Sequence, residues 1–153
     1  MQISTLKDKP HYLVPLAQWH HAEWSYLNPA RSLSERIEEM REDLLGKVIP
    51  TTFVAEDDGE LLGSACILAR DMSSHPELSP WLASVYVDEQ HRKKGIGSVL
   101  VKQVMQHAKE NGIKHLYLYT PDQAQLYARL GWQVFSEEPY NGTPVTIMSI
   151  NFD

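Results

Sequence analysis

The segment Arg92-Lys93-Lys94-Gly95-Ile96-Gly97-Ser98 gathers the residue types that hold phosphate. It follows the apolar run Val85-Tyr86-Val87 and opens a stretch of helical period, so a basic loop leads from a strand into a helix on two glycines. The first turn of a helix carries N–H groups without intrahelical partners and the positive end of the helix dipole. Glycine at 95 and 97 removes the side chains that would keep a phosphate off that backbone. Arg92, Lys93 and Lys94 add three positive charges at one point; without them the chain keeps 11 basic against 20 acidic residues, a net of −9. A cationic spot on an acidic chain predicts an anion pocket. The alternative is a glycine-started helix behind a solvated basic loop. An ATP-type phosphate loop needs Gly-Lys-Ser/Thr after its glycines, and here the lysines come first. A dinucleotide fingerprint needs a third glycine at position 100, which is Leu100.

The spacing Arg92-x-x-Gly95-x-Gly97 after a strand resembles the signature of the GNAT superfamily of acyl-CoA-dependent N-acyltransferases. A second segment, Thr120-Pro121-Asp122-Gln123-Ala124-Gln125-Leu126-Tyr127-Ala128-Arg129-Leu130-Gly131-Trp132, is similar to the family's Leu-Tyr-x-x-Leu-Gly-Phe/Trp motif. Tyr127 stands 35 residues after Arg92, with one helix and one strand between, in the family's order. The resemblance spans residues 52 to 135, with two helices expected ahead of it. It implies acetyl-CoA as cosubstrate, with its pyrophosphate on the amides of Arg92 to Ser98. It also implies an acyl carbonyl and pantetheine arm lying along Val85, Tyr86 and Val87, where that strand bulges away from the next. Many members carry asparagine about seven residues before the tyrosine; this chain has Thr120, so one cofactor contact differs.

Acyl transfer from a thioester to an amine requires a neutral amine, a stabilised oxyanion and a proton for the departing thiolate. Through the resemblance, Tyr127 is the candidate acid, since a phenol with a reference pKa of about 10 keeps its proton at rest. A core tyrosine packing a short helix on the sheet is the other reading. A backbone amide of the Val85–Val87 strand would meet the oxyanion. Tyr86 either lines the cleft or is an ordinary strand aromatic. For the base, Glu23 beside Trp24 lies where the family builds its acceptor site; Asp71, His75 and Glu77 lie in a loop between middle strands. Each of these is otherwise a solvated surface group, and ordered water can replace a dedicated base. His20-His21 does not form a metal pair, because adjacent helical residues diverge by about 100°. Trp19, Trp24 and Trp81 either line an acceptor pocket or cap the core, and core packing is the expectation.

The elements that must position these groups follow from pattern. Apolar residues at Leu13, Leu16, Ala17, Trp19 and Trp24 give a first helix, broken at Asn28-Pro29. Ser32 with Glu35 has capping-box spacing ahead of the stripe Leu33, Ile37, Met40 and Leu44, so the front of the chain reads as two helices, with Gly46 supplying the stop. Strands over 51–56 and 61–69 flank the hairpin turn at Asp57-Asp58-Gly59-Glu60. A third strand runs 81–87, a helix follows from about Gly95 to Asn111, and then a strand 115–120 and a short helix 122–130. Strands 132–136 and 144–151 end the chain. The expected fold is α/β: one domain over 1–153, with a mixed, mostly antiparallel sheet, a central parallel pair and flanking helices.

At 153 residues with 42% apolar content, the chain is long enough for one buried core. A net charge of −6 argues against binding nucleic acid through phosphate neutralisation. One cysteine, Cys66, allows no internal disulfide, and no zinc spacing exists. The polar start and the absence of a long apolar run predict a cytoplasmic protein with no membrane contact. The activity that the resemblance implies is N-acetyl transfer to a primary amine of a small molecule or peptide, with acidic surplus favouring a cationic acceptor. A non-catalytic acyl-CoA-binding regulatory module is the rival. A homodimer through Pro144 to Phe152 is the expected assembly, by analogy with family members.

Overall fold

A computed structural model describes residues 1–152. Seven strands form one sheet in the order β1 (Gln2–Thr5), β2 (Thr51–Asp57), β3 (Glu60–Leu68), β4 (Trp81–Val87), β5 (His115–Thr120), β7 (Thr143–Asn151) and β6 (Gln133–Tyr140). All neighbours are antiparallel except β4 and β5. The helices are α1 (Leu13–Trp24), α2 (Leu33–Met40), α3 (Ile96–Glu110) and α4 (Ala124–Arg129). This is the mixed sheet with a central parallel pair that the sequence pattern implied.

Local chemistry explains most boundaries. Asp58 and Gly59 both have positive φ, +48° and +78°, which a two-residue hairpin turn matched to strand twist requires. Ser32 Oγ accepts from the Glu35 amide and Glu35 Oε1 accepts from the Ser32 amide, each at 3.1 Å, so the capping box is closed. Alternation along β2 divides the core: Phe53 and Ala55 join Leu100 and Val104 of α3 on one face, while Val54 meets Leu16 of α1 and Met40 of α2 on the other. A third cluster lies beside the middle strands, around Trp81, Met72 and Ile147. Trp81 is fully buried and its indole N–H donates to the Leu78 carbonyl at 2.8 Å. Among the described residues, no helix is long and apolar enough to cross a membrane.

One expectation needs correction. The front of the chain is not two helices alone, because β1 precedes them and pairs with β2 from Gln2↔Glu56 to Thr5↔Phe53. Its four residues hold one large apolar side chain, Ile3, so no pattern announced it; the β2 edge supplies the order. At the other end of the sheet, the last strand in the chain is not the last in the sheet. β7 lies between β5 and β6 with both sides paired, and β6 is the edge at this end, opposite β1, carrying exposed Val134 and Phe135.

Candidate active site

The phosphate-type loop is built by β4 and the start of α3. Asp88 N–H bonds the Leu62 carbonyl at 2.8 Å, and a short 3-10 turn over Glu89–His91 follows. Arg92 then folds back: its Nε donates to the Val87 carbonyl at 2.8 Å and its guanidinium sits 5.4 Å from the Tyr86 ring centre. Lys93 and Gly95 take positive φ, +66° and +80°. The first helical bond of α3 runs from Val99 N–H to the Gly95 carbonyl, so the amides of Ile96, Gly97 and Ser98 have no helical partner. A Cβ at Gly95 would meet nothing within 4 Å, and one at Gly97 only Val87 Cγ2 at 3.7 Å. The space beside both glycines is open, and unpaired amides next to positive side chains suit an anion such as a pyrophosphate. Arg92 and Lys93 line the adjoining cleft; Lys94 is exposed and stands off it.

Beside the loop the sheet opens. β4 and β5 pair at Trp81↔Tyr117 and then part. Opposite β3, the register steps from Ser64↔Tyr86 to Cys66↔Ala83, so β4 bulges at Ser84 and Val85. Ser84 has φ +54°, a left-handed conformation that costs a non-glycine residue on the order of 1 kcal/mol. Its carbonyl turns toward β3 and accepts from Ser64 Oγ at 2.9 Å. A trans peptide points its C=O and N–H in opposite directions, so the Val85 N–H turns away from β3 into the β4–β5 gap. Gly63 permits the close approach of the two strands here, since a Cβ would collide with the Tyr86 carbonyl oxygen.

One cleft of about 1370 Å³ joins loop and gap. On the α3 side, Val85, Val87 and Ile96 line it, and so does Tyr127 of α4. Tyr127 is buried, with its ring 6.3 Å from Trp132, and burial pushes its hydroxyl well above the usual phenol range. That hydroxyl has no hydrogen-bond partner among the described residues, and it is protonated at neutral pH. Thr120 also lines the cleft, and its Oγ1 accepts from the amides of Asp122 and Gln123 at 3.3 and 2.9 Å and so sets the entry to α4.

On the α1–α2 side, Trp24 and Tyr86 form a wall, with ring centres 5.9 Å apart and nearly perpendicular. Trp19 supports Tyr86 from behind at 5.3 Å. The three indoles therefore divide: Trp81 belongs to the core, Trp19 backs the wall and Trp24 faces the cleft. Glu23 is exposed on the rim. Asp71 lies deeper, half-buried, and burial pushes its carboxyl up to about 6 against the pull of Arg36 and Arg31. His75 and Glu77 stand away from the cleft, tied to each other and to Glu138 of β6. Sequence reasoning missed Ser64, Ser84 and Arg36. Serines within strands and an arginine on a helix carry no signal of their own, and only the tertiary contacts reveal them.

A sheet opened between two parallel strands, with unpaired helix-start amides at its mouth, defines an acyltransferase-type α/β domain. The profile of the acetyltransferase (GNAT) family matches residues 13–132, and the chain belongs to that family. No curated protein matches it by sequence. Among solved structures it is similar to an aminoglycoside 6′-N-acetyltransferase complexed with coenzyme A, at 20% identity over 99% of this chain and 97% of that one, with a TM-score of 0.77. The ribosomal-protein-alanine N-acetyltransferase of Brucella melitensis gives 17% identity, 99% and 100% coverage and a TM-score of 0.74. The Salmonella typhimurium protein yncA, solved with its cofactor acetyl-CoA, gives 19%, 100% and 94%, and 0.72. At these identities the likeness is one of fold.

Proposed function

We propose that the protein transfers an acetyl group from acetyl-CoA to a primary amine of a small molecule or peptide. The observation that carries this reading is a single cleft lined by Ile96, Gly97 and Ser98 at the start of α3, by Val85 at the bulge and by Tyr127 of α4. Acetyl-CoA supplies a thioester that an amine attacks directly. The amides of Ile96, Gly97 and Ser98, with Arg92 and Lys93, hold the pyrophosphate. The Val85 N–H donates to the oxygen that gains charge as the amine nitrogen bonds to the carbonyl carbon. As the carbon–sulfur bond breaks, Tyr127 gives its proton to the sulfur. We assign the amine's lost proton to Asp71, a carboxylate tuned close to working pH, and give Glu23 the task of drawing the ammonium form to the rim.

The test is a thermal-shift titration with acetyl-CoA, CoA, ATP and NAD, followed by thiol release over polyamines, aminoglycosides, lysine and peptide N-termini. A ligand at 100 times its Kd adds about 2.7 kcal/mol, a plainly visible rise in Tm. A shift with the two CoA species alone, and thiol release with one amine class, is the expected result. A shift with ATP or NAD but not CoA would overturn the reading. CoA binding without release across the panel would make the protein a regulatory acyl-CoA-binding module instead.

A further inference from the structure

The Ser84 peptide that aims the Val85 amide is held by a chain of hydrogen bonds reaching it from two helices. Arg36 of α2 brings its Nη2 to 3.1 Å from Ser84 Oγ and 2.8 Å from His20 Nδ1. His20 of α1 sets Nε2 at 2.9 Å from Ser64 Oγ on β3, and that oxygen lies 2.9 Å from the Ser84 carbonyl. A guanidinium can only donate, so Nδ1 of His20 accepts and the ring's single hydrogen sits on Nε2. Nε2–H then donates to the Ser64 hydroxyl, whose own hydrogen is left for the Ser84 carbonyl. Every direction in the chain is thus fixed by Arg36. Burial, together with the positive Arg36 and Arg31, holds His20 well below its ordinary range, so the ring stays neutral and the order of donors persists.

His20, Arg36 and Ser64 are 3%, 8% and 0% exposed. Polar groups sunk this far weaken a core unless their partners are in place, and apolar residues of similar shape would pack there more simply. Arg36 even leaves its Nε without a partner. What the cluster provides is a grip on two polar groups of one strained residue, its carbonyl and its hydroxyl. Freed of that grip, the Ser84–Val85 peptide can turn its carbonyl into the gap, setting a partial negative charge where a donor is needed.

We propose that His20, Arg36 and Ser64 are positioning residues that aim the Val85 amide at the acyl carbonyl. The inference rests on the acetyl-transfer reading. Its test compares wild type with Ser64→Ala, His20→Ala and His20→Gln, the last keeping an N–H near the Nε2 position. Melting confirms folding, calorimetry gives the Kd for CoA, and kinetics use the best amine of the panel. The 15N–1H signal of Val85 is followed as a ketone analogue of acetyl-CoA, inert to amines, is added. We expect kcat to fall about 10–100-fold in both alanine variants, with the Kd for CoA and the KM for acetyl-CoA within about twofold. His20→Gln recovers most of the loss. The Val85 amide shifts downfield with the analogue in wild type and not in Ser64→Ala. Ser64→Ala removes one oxygen and carries the test if His20→Ala fails to fold. Full kcat in folded Ser64→Ala overturns the positioning role alone, and so does a kcat loss matched by an equal loss of CoA affinity. Absence of CoA binding by wild type overturns the acetyl-transfer reading and this inference with it.

Discussion

At Asp71 two effects compete. Burial disfavours the ionised carboxylate, Arg36 and Arg31 favour it, and burial prevails, carrying the group from 3.8 up to about 6. An acid with a raised folded pKa binds its proton more tightly in the folded state. Its stability contribution is therefore full below 3.8 and is lost as pH rises through about 6. Asp71→Asn should leave Tm unchanged near pH 4 and raise it near pH 7.5, by the equivalent of about 1–3 kcal/mol given partial exposure. A variant less stable at both pH values would show that Asp71 is held by its arginines. The same residue gives a kinetic expectation: kcat/KM of wild type falls as pH drops below about 6, and Asp71→Asn loses that limb along with about 10²-fold in rate. Should Glu23→Gln remove the limb instead, the base is Glu23. Tyr127→Phe belongs beside these. It should lower kcat by about 10²-fold while the Kd for CoA stays constant, and an unaltered kcat would take Tyr127 out of the mechanism.

At the scale of elements, the bulge in β4 and the loop before it decide the shape of the acceptor half. Gly63 has no space for a side chain because the Tyr86 carbonyl of the bulged strand lies against it. Gly63→Ala should cost about 1–3 kcal/mol and reduce kcat with it, read by denaturant melts and turnover; a neutral variant would mean that β4 shifts freely. The β3–β4 loop is anchored by His75, which bonds Glu138 of β6 and Glu77. Those carboxylates hold His75 above its usual range, and His75 with Ser136 holds Glu138 below its own. The histidine's contribution is full below 6.5 and fades as pH rises through its folded value; that of the glutamates is full above 4.5 and fades as pH falls. The Tm gap between wild type and His75→Gln should peak at about pH 5.5 and narrow at about pH 8.5 and pH 3. Elements were legible in the sequence where one residue type enforces them: Asp58-Gly59 in its hairpin, Ser32 with Glu35 at a cap, and glycines opening α3. Asn141-Gly142, both at positive φ, carried the same signal for β6–β7, but Pro139 and the acidic pair Glu137-Glu138 masked the strand before it. The bulge was not legible, because Ser84 takes its φ from Ser64 and Arg36, which lie 20 and 48 positions away. His20 read as one of two adjacent histidines, and only the packing of α1 on β3 separates the buried ring from its neighbour.

Across the whole molecule, charge is divided between the two ends of the cleft. Arg92 and Lys93 line the cleft beside the start of α3, with Lys94 exposed next to them, in a chain that is otherwise at −9. The acceptor side presents Glu23 at its rim, Glu39, Glu42 and Asp43 beyond it and Asp71 below, against Arg31, Arg36 and Arg70. Arg31 and Glu39 pair at 2.9 Å and Arg36 is buried against His20 and Ser84, so carboxylates outnumber the cations that an approaching substrate meets. Such a field raises the local concentration of cations and is screened over about 10 Å at 0.1 M salt. For a polyamine, kcat/KM should therefore fall severalfold between about 0.02 and 0.2 M salt through a rise in the amine KM, with kcat constant. An uncharged-body amine such as a small aralkylamine carries a single positive charge and should respond less, and Glu23→Gln should flatten the polyamine response toward it. Acetyl-CoA, attracted by the opposite end, must be kept saturating at every salt concentration so that its own screening does not enter. Equal salt slopes for the two amines in wild type would show that the acidic surplus plays no part in choosing the acceptor, leaving the Trp24–Tyr86 wall to do so by shape.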